Sequence, residues 1–105
     1  MKTAECIGEV LGMFVFVYIA LTQKEPLIIV TGLFVGIMIA ASFGSKSYLN
    51  PGVVIADYGR SQITKSESGS SDFTGREATS YIGCELLGAV LAIILTYIQH
   101  ESMKG

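Results

Sequence analysis

The stretch that most restricts this chain is Ser45-Lys46-Ser47-Tyr48-Leu49-Asn50-Pro51-Gly52-Val53-Val54-Ile55-Ala56, an Asn-Pro helix start set between long apolar segments. Asn caps a helix because its side-chain oxygen accepts an otherwise unpaired backbone N–H. Pro suits the first helical position, where no N–H is needed. The apolar run that follows ends at Asp57, Tyr58 and Gly59. A helix of that length reaches about 12 Å, under half of a roughly 30 Å hydrocarbon core. The expectation is a half-helix over 50–58 that dips into a membrane, with its positive dipole end at depth.

The flanking segments point the same way. Half of the residues are hydrophobic and only 15% are charged, and the mean hydropathy is +0.55. The stretches 4–21, 27–43 and 78–98 would each extend about 26–32 Å as helices, enough to cross a bilayer. A soluble bundle would show polar stripes along its helices, and 27–43 has none. The reading is an all-α membrane protein with three transmembrane helices and one re-entrant half-helix, forming a single unit. Lys2 precedes the first apolar stretch as in a signal peptide. However, Glu5 and Glu9 sit where positive charge is wanted, and no small-residue cleavage site follows Leu21, so a retained helix is expected. With the N-terminus cytoplasmic, Lys2, Lys46, Arg60, Lys65 and Arg76 fall inside and Lys24 and Lys104 outside. That is five against two in favour of this orientation. The Ser/Gly-rich segment 59–77 has no apolar face and reads as a mobile aqueous loop, with Thr74 or Ser80 as candidate caps of the last helix.

Small residues recur at helical spacing: Gly8 with Gly12, Gly32 with Gly36, and Cys84, Gly88 and Ala92 in a row. Such pairs let helix backbones approach closely in lipid. A charge at mid-membrane costs on the order of 3 kcal/mol on insertion scales. Glu5 and Glu9 share a face near a helix start, and Glu9 reads as an interfacial carboxylate. Glu85 lies deeper, four residues after Tyr81, and reads as a buried group with a partner. Cys6 and Cys84 fall inside apolar segments and read as packing residues rather than a disulfide or a metal pair. His100, among Gln99, Glu101 and Ser102, reads as a solvated residue. The sequence contains no metal-ligand spacing, nucleophile–base pair or phosphate loop, so neither an enzyme nor a cofactor is expected. A net charge of −2 argues against nucleic acid as a partner.

Three of these stretches together resemble the N-terminal half of an aquaporin-type (major intrinsic protein) channel. Ala4-Glu5-Cys6-Ile7-Gly8 is similar to that family's first-helix start, and Ser45 through Val53 to its first pore loop. Asn50-Pro51-Gly52 stands where Asn-Pro-Ala is usual. Tyr81-Ile82-Gly83-Cys84-Glu85-Leu86-Leu87-Gly88-Ala89 is similar to its third helix, with Glu85 where Gln is usual. The resemblance implies that Asn50 donates hydrogen bonds to a passing molecule at mid-membrane. It also implies that Pro51 starts the half-helix and that Ser47, Tyr48 and Leu49 expose carbonyls to a pore. Glu5 and Glu85 would brace the loop. Val30 falls near a position that often carries an aromatic in water channels, and a smaller residue there widens the constriction. The implied activity is passive passage of water or a small neutral solute such as glycerol.

The departures set the remaining alternatives. Tyr48 and Lys46 stand where the family more often has His and a small residue, and Glu9 replaces a more usual neutral residue. The position that would hold a filter arginine after a second Asn-Pro motif is Val53 here. One such half encloses no channel. The pore would need a second copy, as an antiparallel homodimer in the lipid membrane, or a complementary channel half. Two alternatives are a small dual-topology proton-coupled multidrug transporter and a non-conducting structural or regulatory membrane protein derived from a channel half.

Overall fold

A computed structural model describes residues 1–68 and 73–104. Among the described residues the chain is all-helical: α1 (Thr3–Thr22), α2 (Pro26–Ser42), α3 (Pro51–Ser68) and α4 (Gly75–Lys104). Helices α1 and α4 are long and apolar enough to cross a membrane, and α2 is apolar but shorter. Only 22% and 28% of the apolar stretches of α1 and α4 are buried within the protein. The core helix of a soluble domain would be mostly buried, whereas a lipid-facing helix keeps its apolar surface outward. Leu27, Phe34 and Ile93 all face outward.

Helix α1 is the centre of the bundle, packing against both α2 and α4, while α3 packs on α4. The small-residue rows make these contacts. A Cβ on Gly12 would lie 2.5 Å from the Gly36 carbonyl oxygen, and one on Gly36 2.6 Å from that of Gly12. Gly8 meets Ala40 and Phe43, and Gly32 meets Ile19, so α2 runs antiparallel to α1. On the other flank a Cβ on Gly88 would lie 2.5 Å from the Val10 carbonyl oxygen. The Tyr18 hydroxyl donates to Gln99 at 2.9 Å. Helix α4 therefore runs parallel to α1.

The close α1–α4 crossing overturns the expectation for the two cysteines. Cys6 and Cys84 form a disulfide, with their Cα atoms 5.6 Å apart, inside the range a bridge can span. The approach at Gly88 brings them within that range, and a list of separated residues does not reveal it.

The segment expected as a loop over 59–77 is also different. Helix α3 does not stop near residue 58 but continues to Ser68, and α4 begins at Gly75 rather than 78; positions 69–72 of that segment lie outside the described residues. Polar contacts carry α3 past the end of its apolar run. Arg60 binds Asp57 through Nε at 2.9 Å and Nη2 at 2.6 Å, and the Thr64 hydroxyl donates to the Arg60 carbonyl at 3.0 Å. The Phe73 amide donates to the Ser61 hydroxyl at 3.3 Å, tying the outer part of α3 to the approach to α4. Of the two candidate caps, Thr74 does the work: its hydroxyl accepts the Glu77 amide at 3.1 Å. At the other end α4 runs on to Lys104 instead of stopping at 98, helped by the Lys104–Glu101 pair at 3.4 Å.

Helix α3 runs antiparallel to α4. Its Val54 packs with Phe73, Ala78 and Tyr81, and Tyr58 lies beside Gly75. Its first residue follows Asn50, whose amide lies against Glu85. Glu85 is about 15 Å along α4 from Gly75, so α3 starts deep in the bundle and runs outward.

The glycine contacts give a direct test. Gly12→Ala should destabilise the protein by about 1–3 kcal/mol, because the new methyl meets backbone that cannot move aside. Gly59→Ala, whose Cβ would meet nothing within 4 Å, should instead be neutral or stabilising by up to about 1 kcal/mol. Reversible unfolding in mixed micelles distinguishes the two.

Candidate functional site

Between α2 and α3 the backbone leaves helical geometry, and residues 43–50 fold back into the bundle. Ser47 and Leu49 have φ of 59° and 51°, left-handed conformations that L side chains rarely adopt. Each costs about 1–3 kcal/mol and persists only where its surroundings over-determine it.

Glu9 is the main constraint. Its carboxylate is fully buried and accepts the Ser45 hydroxyl at 3.0 Å and the Tyr48 amide at 3.1 Å. The Ser45 hydroxyl in turn accepts the Ser47 amide at 2.9 Å. The Ser47 hydroxyl donates to the Ile37 carbonyl of α2 at 3.2 Å. The Leu49 side chain is 1% exposed and packs with Met13 and Ala40. Tyr81 completes the brace from α4: its hydroxyl accepts the Lys46 amide at 3.2 Å and donates to Glu5 at 3.1 Å.

This arrangement reverses the roles expected for the two α1 carboxylates. Glu9, expected at the interface, holds the loop directly, while Glu5 reaches it only through Tyr81. The two share a face, but Glu9 lies one turn deeper, level with the loop and next to the Gly8 and Gly12 contacts. Those flanking glycines were the available signal in the sequence. Tyr81 had a weaker one, its spacing of four residues from Glu85. Glu85 is fully buried and lies against the Leu49 and Asn50 amides. Among the described residues neither of its oxygens, nor Oε2 of Glu9, has a hydrogen-bond partner.

Asn50 caps α3. Its Oδ1 accepts the Gly52 amide at 2.7 Å, and the Val54 amide donates to its carbonyl at 3.1 Å. Pro51 occupies the first helical position. A Cβ on Gly52 would lie 3.0 Å from Asn50 Oδ1, so glycine leaves the carboxamide room. The Asn50 side chain is exposed, and its Nδ2 makes no hydrogen bond among the described residues. The carbonyls of Ser47, Tyr48 and Leu49 likewise accept none from the described residues. Their side chains turn inward, while Val53 and Ile55 beside the cap face outward. Val30 is 60% exposed on α2 and is not gathered with this loop.

On the outer side of the loop, Tyr48, Phe73 and Tyr81 form an aromatic cluster with ring centroids 5.1–5.9 Å apart. The Lys46 ammonium lies 4.5 Å over the Phe73 ring. The Tyr48 hydroxyl donates to Asp57. That bond and the Arg60 guanidinium hold the Asp57 carboxyl below its ordinary range.

The Asn50 carboxamide thus offers an unused donor at an exposed position beside the outward-facing Val53 and Ile55. Among the described residues no group of three or more acidic, His or Cys side chains could hold a metal ion. No family model, curated protein or solved structure matches the chain.

Glu9→Ala should expose the Tyr48 amide to hydrogen exchange and cost about 1–3 kcal/mol, because two loop donors lose their acceptor. Glu9→Gln, which keeps an acceptor oxygen, should cost less. Asp57 gives a pH test. A carboxyl depressed on folding stabilises the folded state above its unfolded value. That contribution is therefore present at neutral pH and is lost as the pH falls below the ordinary 3.8. Asp57→Asn should flatten this acid limb in a pH series of thermal unfolding.

Proposed function

We propose that the chain is an aquaporin-like channel subunit for water or a small neutral solute such as glycerol. In this reading α1, α2 and α4 cross the membrane and α3 is re-entrant. Because α2 is antiparallel and α4 parallel to α1, the segment between α2 and α4 enters and leaves by one face. The observation that carries the proposal is Asn50: a helix-capping carboxamide about 15 Å below the start of α4, with its N–H donors unused. Half-helix starts at mid-membrane are where such channels and transporters hold what passes. The Lys/Arg distribution supports a cytoplasmic N-terminal end.

The exposed, unpartnered Asn50 carboxamide supports an assembly. Non-helical backbone at depth is tolerated only where protein or a wet cavity covers it. A second copy in inverted orientation, or a complementary channel half, would cover Asn50 and supply the facing helix start. Proteoliposome swelling tests the proposal: the protein should raise water or glycerol flux above lipid background. Asn50→Leu should return it to background, and Gly59→Ala should leave it unchanged. Folded oligomers without flux would overturn the proposal.

The complete burial of Glu9 and Glu85 favours a second reading, a proton-coupled exporter of lipophilic cations. Accumulation of such a cation driven by a pH gradient and abolished by Glu85→Gln would decide for it.

A further inference from the structure

We propose that the cleft beside the Cys6–Cys84 disulfide is a thiol–disulfide exchange site for a small anionic thiol of the glutathione kind. The disulfide is not sealed in the bundle. Both cysteines are only half-buried, and they line a cleft of about 450 Å³ together with Lys2, Ser80, Gly83 and Leu87. The cleft runs inward from Met1, Lys2 and Thr3, where α1 begins, to the disulfide and Leu87, so a water-borne thiol has a path to the sulfurs from the end of the helix pair. Lys2 on its wall offers a cation to an acidic thiol.

The bond is also placed to matter. Cys6 follows Glu5, and Cys84 lies between Tyr81 and Glu85, so the bridge clamps together the two helix segments whose side chains hold the 43–50 loop. In the orientation proposed above this end faces the cytoplasm, where disulfides that form are mostly transient or redox-sensing. The expectation that the clamp meets thiols in the cell rests on that orientation; the exchange chemistry does not.

The first step transfers a sulfur bond without net oxidation. The entering thiolate attacks Cys84 Sγ, and the Cys84–Cys6 bond breaks. Its electron pair leaves on Cys6 Sγ, which then takes a proton from water. Cys6 is the better leaving group, because it lies in the first turn of α1. There the uncapped helix start and Lys2 favour negative charge, against the opposing Glu5 carboxylate of the same turn. A second thiol then displaces the first from Cys84. Two small thiols are oxidised to their disulfide, and the protein gains two cysteine thiols.

The test uses the full chain in sealed liposomes, with reduced glutathione added to the face that carries the N-terminal end. Intact mass and peptide mapping should show one glutathione on Cys84, followed by two free thiols, while the helices stay folded. Gly83 lines the cleft and a Cβ there meets nothing within 4 Å, so a side chain at this position starts without a clash and Gly83→Trp should obstruct the cleft. It should slow exchange about tenfold at unchanged Tm, since exchange depends on access to the sulfur; Gly83→Leu, a smaller plug, should slow it less. No adduct on the folded protein, an adduct confined to Cys6, or wild-type exchange rates in both Gly83 variants would overturn the proposal. Exchange from a face shown to be non-cytoplasmic would remove the orientation and leave the exchange site standing.

Discussion

Glu9 holds a stretch of backbone that has neither a helix nor a strand to satisfy it. Residues 43–50 are held instead by side chains from neighbouring helices, which supply the partners that regular structure would have given. The reach is short. A glutamate can touch Ser45 and Tyr48 only because α1 lies almost backbone to backbone against α2 at Gly12–Gly36 and against α4 at Gly88–Val10. Larger residues at those points would hold the helices apart and leave the loop without its acceptor. The left-handed turns at Ser47 and Leu49, and through them the depth at which α3 begins, depend on that spacing. Packing between glycines and the conformation of a polar loop are thus one constraint.

The parts of this arrangement that were legible in the sequence are those encoded by local or pairwise signals. The Asn50-Pro51 start, the small-residue pairs and the apolar stretches each state their structure within a few residues: Pro51 opens a helix, the glycines make the close contacts, and the three apolar stretches are helical, two of them long enough to cross a membrane. What was not legible depends on helix phase and depth. Glu5 and Glu9 look alike on a helical wheel, and only the positions of α2 and α4 decide which meets the loop. The disulfide requires the distance between two helices, which the crossing at Gly88 sets. Helix α3 outlasts its apolar run because Arg60 folds back on Asp57 and Ser61 meets Phe73. A reading based on apolar faces takes such a polar stretch for a loop. Phe73, fully buried amid serines and glycines, marked where that loop was anchored.

The covalent and the packed contacts between α1 and α4 act at different places along the pair. Glycine 88 brings the backbones together within the bundle, the Tyr18–Gln99 hydrogen bond joins one end and the disulfide the other. The bridge closes a loop spanning 78 positions of sequence. On a chain-entropy view a closure of that length restricts the unfolded chain by about 4–5 kcal/mol. The first helix thereby gains its last partner only when the fourth is in place.

The parallel run of α1 and α4 has a consequence for how such a unit could be multiplied. Its first and last helices point the same way, so Thr3 and Lys104 lie at opposite ends of the bundle. If the gene were copied in tandem and the copies joined by a short linker, the second unit would begin on the face where the first ended. It would therefore be inserted upside down, with no added crossing and no change in any helix. An inverted repeat, which otherwise requires two chains to settle in opposite senses, would follow from the parity of one chain's path.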